Sequence, residues 1–243
     1  MTEVVILPGL DGTAKLHGAF SAQLSELGVR ARAIAYPQDQ PLAYEELSLL
    51  VRSQLPTSGQ FILLGESFSG PLAIQIAAYP PSGLIGLVLS TTFARTPVPA
   101  LTRLAPLLRF APARPPDPLL SWLLLGAWAT PELRLALGTA LQQVSPVVIR
   151  SRAAAALRVD VAGLLPSVTL PVLQLVASHD RLLTKALAAG LGKSLPNCRT
   201  VIVPGPHLLL QASSELCAKE VAAFALGLGP NNSFKPTPLR GAA

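Results

Sequence analysis

Three side chains that together could make a reactive oxygen occur in the order Ser67, Asp180, His207. A serine hydroxyl attacks poorly until a base accepts its proton, and an imidazole does this best when an acid fixes its tautomer and stabilises its charged form. The serine lies in Gly65-Glu66-Ser67-Phe68-Ser69-Gly70, between an apolar run and a helical pattern. On so sharp a strand-to-helix turn a serine is held in a strained conformation that exposes its hydroxyl, and small residues two positions either side let neighbouring backbone approach. Gly65 fills the earlier position; Ser69 fills the later one, where glycine is usual. Two competing readings remain. Ser67 could simply cap the helix starting at Phe68. Alternatively, Ser69 could be the nucleophile, although Pro71 then occupies a position that should be small.

Asp180 belongs to Ser178-His179-Asp180-Arg181, directly after the strand-like Val172–Ala177. Open α/β sheets place their sites at the carboxyl ends of strands, so a carboxylate there can orient a histidine; an ordinary surface Asp-Arg loop is the competing reading. Of the three histidines, only His207, in Val203-Pro204-Gly205-Pro206-His207, follows both a strand and the acid. His17 is expected at the surface near the first helix, and His179 in solvent. A fourth segment, Leu7-Pro8-Gly9-Leu10-Asp11-Gly12, follows the first strand. Its glycines allow backbone N–H groups to turn inward, and the N–H groups of Leu10 and Phe68 would together hold an oxyanion. Taken alone, such a loop could also be an ordinary turn.

The elements that must position these residues alternate along the chain. Strands are predicted at Glu3–Leu7, Arg30–Tyr36, Phe61–Gly65, Leu84–Ser90, Val172–Ala177 and Arg199–Val203. Helices are predicted over about His17–Leu27, Tyr44–Leu55, Phe68–Ala78, Lys185–Ser194 and Leu208–Leu226. Between about Arg95 and Leu165 the alternation stops. Prolines there (Pro97, Pro99, Pro106, Pro112, Pro115, Pro116, Pro118, Pro131, Pro146) predict short helices joined by tight turns. Residues 1–94 and 166–228 thus form an α/β core, residues 95–165 a helical lid, and residues 229–243, polar and rich in proline, a disordered tail.

Half of the 243 residues are apolar and 13% are charged, which excludes a disordered chain and suits a well-packed core. The net charge of +6 is uneven: residues 94–160 hold eight arginines against three acids. No basic patch interleaved with aromatic residues accompanies them, which argues against a nucleic-acid partner. Cys198 and Cys217 read as two reduced thiols. No leader peptide is evident, and the most apolar run, Leu119 to Ala129, falls short of the about 20 residues that span a bilayer. The expected location is the cytoplasm.

These motifs resemble the α/β-hydrolase superfamily over roughly Met1 to Leu228, through the Ser67 elbow and the position of Asp180 and His207 after their strands. The resemblance implies a Ser-Asp-His hydrolase without metal or cofactor. It also exposes a departure: the oxyanion loop lies too near Met1 for the family's first two strands. About six strands, all parallel, are expected, with the helical cap inserted after the fourth. Such a site would cleave a small apolar ester. Thioester hydrolysis, acyl transfer, perhydrolysis and C–C bond hydrolysis stay open within the fold, as does a non-catalytic ligand-binding protein. The apolar stretch around Trp122 and Trp128 could line an acyl pocket or pack into the core. With its arginines, the cap resembles that of the methyl esterase acting on pimeloyl-acyl carrier protein, which implies an acidic acyl carrier protein as a partner docking on Arg150, Arg152 and Arg158. The tail resembles the translated recombination site at the ends of integron gene cassettes, which would carry no catalytic meaning.

Overall fold

Strands that are apolar at every position cannot face water on either side, so they must lie between two layers of helices. In the computed structural model, which describes residues 2–110 and 116–228, this is how the chain folds. In chain order the elements are β1 (Glu3–Leu7), α1 (Gly18–Glu26), β2 (Arg30–Ala33), α2 (Tyr44–Gln54), β3 (Phe61–Glu66), α3 (Gly70–Ala78) and β4 (Leu84–Ser90). There follow α4 (Asp117–Leu124), α5 (Pro131–Gln142), α6 (Pro146–Ala156), β5 (Val172–Ala177), α7 (Lys185–Lys193), β6 (Cys198–Val203), α8 (Leu209–Ala212) and α9 (Ser214–Gly227). The six strands pair in parallel in the order β2-β1-β3-β4-β5-β6. Every residue of β3 is buried, whereas β2 at one edge is partly exposed.

One apolar layer packs Phe20 and Leu24 of α1 with Val221 and Phe224 of α9 beneath the sheet. The other packs Leu47 and Val51 of α2, Leu72 and Ile76 of α3 and Leu191 of α7. Between β4 and β5 the described elements are helical. This insertion leaves the sheet through a neck in which Val161 N–H donates to Ala94 O at 2.8 Å and Thr96 N–H to Val159 O at 3.0 Å. Pro118, Pro131 and Pro146 start helices as expected, while Pro106 lies inside a 3₁₀ helix and Pro112 and Pro115 fall outside the described residues; Thr130 and Ser145 cap α5 and α6, their side-chain oxygens accepting from Leu133 N–H and Val147 N–H. A separate apolar cluster of Leu125, Leu137, Leu141, Val148 and Ile149 takes in Leu208 from the main body.

Three boundaries differ from the sequence expectation by more than one residue. β2 stops at Ala33 because the chain then turns to serve the loop after β1, Tyr36 N–H donating to Gly12 O at 2.8 Å. The helix expected from Phe68 opens with a 3₁₀ turn, Ser67–Ser69, before α3. The final helix breaks at Ser213, whose backbone leaves helical geometry and whose hydroxyl donates to Pro204 O at 2.6 Å. Among the described residues no helix is long and apolar enough to cross a membrane. Arg114, and the tail from Gly229 with its expected disorder and its cassette resemblance, lie outside the described residues.

Two glycines test this packing in opposite directions. A Cβ on Gly70 would overlap the side chain of Thr92, while one on Gly138, inside α5, would meet open space. Gly70→Ala should lower unfolding stability by about 1–3 kcal/mol. Gly138→Ala should raise it by about 0.5–1 kcal/mol through helix propensity. Urea denaturation midpoints of the two variants check both.

Candidate active site

The sheet runs β3 straight into Ser67, and the local sequence leaves that residue little freedom. Its φ is 47°, in the left-handed region that non-glycine residues rarely enter. A Cβ on Gly65 would stand 2.7 Å from the Ala73 Cβ and 2.9 Å from Ser69 O, so only glycine lets α3 fold back so closely on β3. From the loop after β4, the Thr92 hydroxyl donates to Ser67 O, and Tyr44 of α2 donates to Phe68 O at 2.8 Å while stacking on the Phe68 ring. The turn is therefore held from two sides.

Three loops at the same sheet edge bring Ser67, His207 and Asp180 together. Ser67 Oγ is 2.8 Å from His207 Nε2, and His207 Nδ1 is 2.8 Å from Asp180 Oδ2. The other carboxylate oxygen of Asp180 accepts from the N–H groups of Leu182 and Leu183, at 2.8 and 2.9 Å. An ionised carboxylate only accepts, so the proton between it and the ring sits on Nδ1; Nε2 then presents its lone pair to the serine hydroxyl. The His207 and Asp180 side chains are 3% and 6% exposed, so this chain of bonds is shielded from competing water. The loops carrying acid and base are joined directly, His179 N–H donating to Gly205 O and Ser178 N–H to Val203 O, both at 3.0 Å. The insertion contributes too: Leu124 O accepts from Leu208 N–H at 3.0 Å, beside the imidazole.

Ser69, weighed above as an alternative nucleophile, is fully buried and its hydroxyl is already engaged. It donates to Pro8 O, in the loop after β1, and accepts from the Tyr36 hydroxyl at 2.6 Å. Burial pushes the Tyr36 phenol far above its ordinary value, so Tyr36 is the neutral donor in that pair. Ser69 thus does more than stay small: it ties the elbow to the glycine-rich loop. That loop also closes on itself, the Asp11 carboxylate accepting from the Thr13 N–H at 2.9 Å and the Thr13 hydroxyl at 2.6 Å. Leu10 lies inside it, half-buried, and Phe68 directly follows Ser67.

Two sequence expectations need correction. His17 is not at the surface: it is 1% exposed, with Nε2 2.8 Å from Glu66 Oε2. Gln211 Nε2 donates to the same oxygen at 3.3 Å. Burial alone would push the His17 pKa down, but the Glu66 charge and hydrogen bond hold it above its ordinary 6.5. Burial would likewise push Glu66 up, and His17, Gln211 and the nearby His207 hold it below 4.5. Their environment makes them an ion pair under the nucleophile. The one available signal was Glu66 itself, since an acid closing a wholly apolar strand must find a partner. Second, Arg152 is not a docking arginine on the insertion's surface: it is 2% exposed and donates to Leu10 O, Asp11 O and Pro37 O. Nothing in its sequence neighbourhood separated it from Arg158, which is exposed.

Of the two tryptophans, Trp122 belongs to α4 and Trp128 to the short turn that follows it. Trp122 is 56% exposed under the Arg181 guanidinium, on a groove of about 620 Å³ lined by α4 and α5 residues. Trp128 packs at 5.1 Å against His179, the neighbour of Asp180.

No protein-family model matches the sequence, and no curated protein matches it. Solved structures match its shape. A lipase-esterase related protein from Clostridium acetobutylicum superposes with a TM-score of 0.78 at 16% identity, over 92% of this chain and 94% of that one. An esterase from Thermogutta terrifontis gives 0.78 at 18% identity, over 94% and 90%. An enol-lactonase from Burkholderia xenovorans gives 0.77 at 17% identity, over 92% and 90%. The six-stranded parallel sheet with its flanking helices is the α/β-hydrolase fold.

The buried pair predicts a pH signature in stability. Glu66, with its pKa lowered on folding, stabilises the fold above its ordinary 4.5 and loses that contribution as pH falls through its folded value. His17, with its pKa raised, stabilises the fold below 6.5 and loses that contribution as pH rises through its folded value. The pair therefore contributes most between those two pH values. His17→Gln should cost about 3–5 kcal/mol in that window, because it leaves a buried carboxylate unpaired. Urea midpoints from pH 4 to 9 should show the deficit largest inside the window and smaller at alkaline pH.

Proposed function

We propose that this chain is a serine hydrolase that cleaves small, apolar carboxylic esters through an acyl-enzyme. The observation that carries the reading is the unbroken pair of 2.8 Å contacts from Ser67 Oγ through His207 to Asp180, on a left-handed strand-to-helix turn. His207 Nε2 takes the Ser67 proton as the oxygen adds to the ester carbonyl. The carbonyl oxygen gains the charge and is held by the N–H groups of Leu10 and Phe68. Collapse of the adduct breaks the bond to the alkoxide, which leaves with the proton from His207. A water molecule then gives a proton to Nε2 and adds to the acyl carbon; collapse breaks the bond from that carbon to Ser67 Oγ, which takes the proton back from Nε2 as the acid leaves. Asp180 keeps the Nδ1 proton in place and stabilises the imidazolium in both halves.

Esterases and an enol-lactonase stand among the proteins of like fold, beside a bromoperoxidase and a proline iminopeptidase, so ester chemistry fits the scaffold. Trp122 and Trp128, on the insertion, are proposed to receive the apolar part of the substrate.

p-Nitrophenyl esters of graded acyl length test the proposal and size the pocket. Short to medium chains should turn over, and Ser67→Ala should reduce kcat at least about a thousandfold. Asp180→Asn should lower it by about 10⁴ by allowing the wrong tautomer. A serine-directed phosphonate should label wild-type protein once per chain and leave Ser67→Ala unlabelled. Turnover surviving in Ser67→Ala would sink the assignment.

A further inference from the structure

The buried guanidinium of Arg152 has no partner in the relay, yet it holds the loop on which oxyanion stabilisation depends. We propose that Arg152 is a positioning residue: from α6 of the insertion it sets the direction of the Leu10 N–H, so the insertion completes the oxyanion hole. The inference rests on the reading of Ser67 as nucleophile.

Arg152 Nη1 donates to Asp11 O at 2.7 Å and to Leu10 O at 3.1 Å, and Nη2 donates to Pro37 O at 2.8 Å. These oxygens lie on two segments, the loop after β1 and the stretch after β2, which the planar fork clips together. A lysine, with one nitrogen, cannot reproduce that geometry. The nearest acid in sequence to these partners, Asp11, spends its carboxylate on Thr13. The guanidinium is thus hydrogen-bonded to three peptide carbonyls, with the Asp11 charge near enough to act on it, an arrangement that holds only with good geometry. The loop is shaped around it as well: Gly12 has a φ of +66°, and a Cβ there would overlap the guanidinium.

The consequence falls on one peptide group. The Gly9–Leu10 peptide carries the N–H proposed to meet the oxyanion. On its amino side, Pro8 O is held by Ser69; on its carboxyl side, Leu10 O and Asp11 O are held by Arg152. Rotating the N–H away would carry at least one of those carbonyls off its donor. Tyr36 joins the two anchors, its hydroxyl bonded to Ser69 and its ring 5.5 Å from the Arg152 guanidinium carbon.

Arg152→Lys and Arg152→Met should separate positioning from mere packing. The readouts are ester kcat and KM, and the affinity of an aryl boronic acid, which forms a tetrahedral adduct with the serine and places an oxygen where the oxyanion would sit. Arg152→Met should lower kcat by about 10- to 100-fold with KM changed less than about twofold, and boronate affinity should fall by the same factor as kcat. Arg152→Lys should lie between the two proteins. Should Arg152→Met fail to fold, Arg152→Lys decides alone. A folded variant with wild-type kcat and boronate affinity overturns the proposal, and so does a loss confined to KM. Ser67→Ala, assayed alongside, keeps the two readings apart. If it is inactive while the Arg152 variants match wild type, only the role of Arg152 falls; if it stays active, the hydrolase reading falls first.

Discussion

A left-handed serine between a strand and a helix persists only where its surroundings allow no relaxed alternative, since such a backbone costs on the order of 1–3 kcal/mol. Here the alternatives are closed by contact. Gly65 and Gly70 admit neighbours that any side chain would displace, Thr92 holds the Ser67 carbonyl, and Tyr44 holds the next one. None of these groups touches the Ser67 hydroxyl, yet together they aim it. The sheet supplies the rigidity, because β3 is paired on both sides and buried throughout. The loops bearing His207 and Asp180 need only reach that fixed point, and they do so from β6 and β5 at the same edge.

Two histidine–carboxylate pairs flank the serine, and their geometry separates their roles. His207 offers Nε2 to Ser67 while Asp180 occupies Nδ1. His17 spends Nε2 on Glu66 and has no contact with the hydroxyl to offer. The second pair anchors the elbow instead: it joins the last residue of β3 to His17 just before α1 and, through Gln211, to α8.

Much of this was legible in the sequence, and the physical reason is locality. Strand positions follow from periodicity over short windows, the parallel topology from their alternation, and the elbow and the order Ser67, Asp180, His207 from local motifs and the resemblance they carry. Ser69 was read as a small residue, because spacing cannot tell that its hydroxyl reaches Pro8 across 61 positions. His17 and Arg152 were misplaced for the same reason. Charged side chains are ordinarily wet, and only the fold reveals a buried partner 49 residues away for one and three converging carbonyls for the other. The break of the last helix at Ser213 escaped notice too, since it depends on Pro204 O, nine residues back on the loop that leads to His207.

The insertion's attachments also bear on how substrate could enter. Its attachments to the main body include the neck at Ala94–Val161, the Leu124–Leu208 bond beside His207, the Arg181 bond to Trp122 O, the Ser145 N–H bond to Gln38 O, and Arg152. Hydrogen bonds from a charged group are worth about 1.5–3 kcal/mol each, and Arg152 makes three to carbonyls that would otherwise be left bare. Lifting α6 from the core would sacrifice all of them, and the tetrahedral adduct would lose an organised loop at the moment it forms. Helix α5 carries no comparable anchor among the bonds described, and it exposes Leu135 at its outer face. In the proposed enzyme, then, α6 is held against the oxyanion loop by Arg152, α4 is held through Leu124 O and Trp122 O, and α5 is the helix whose displacement would break none of these bonds.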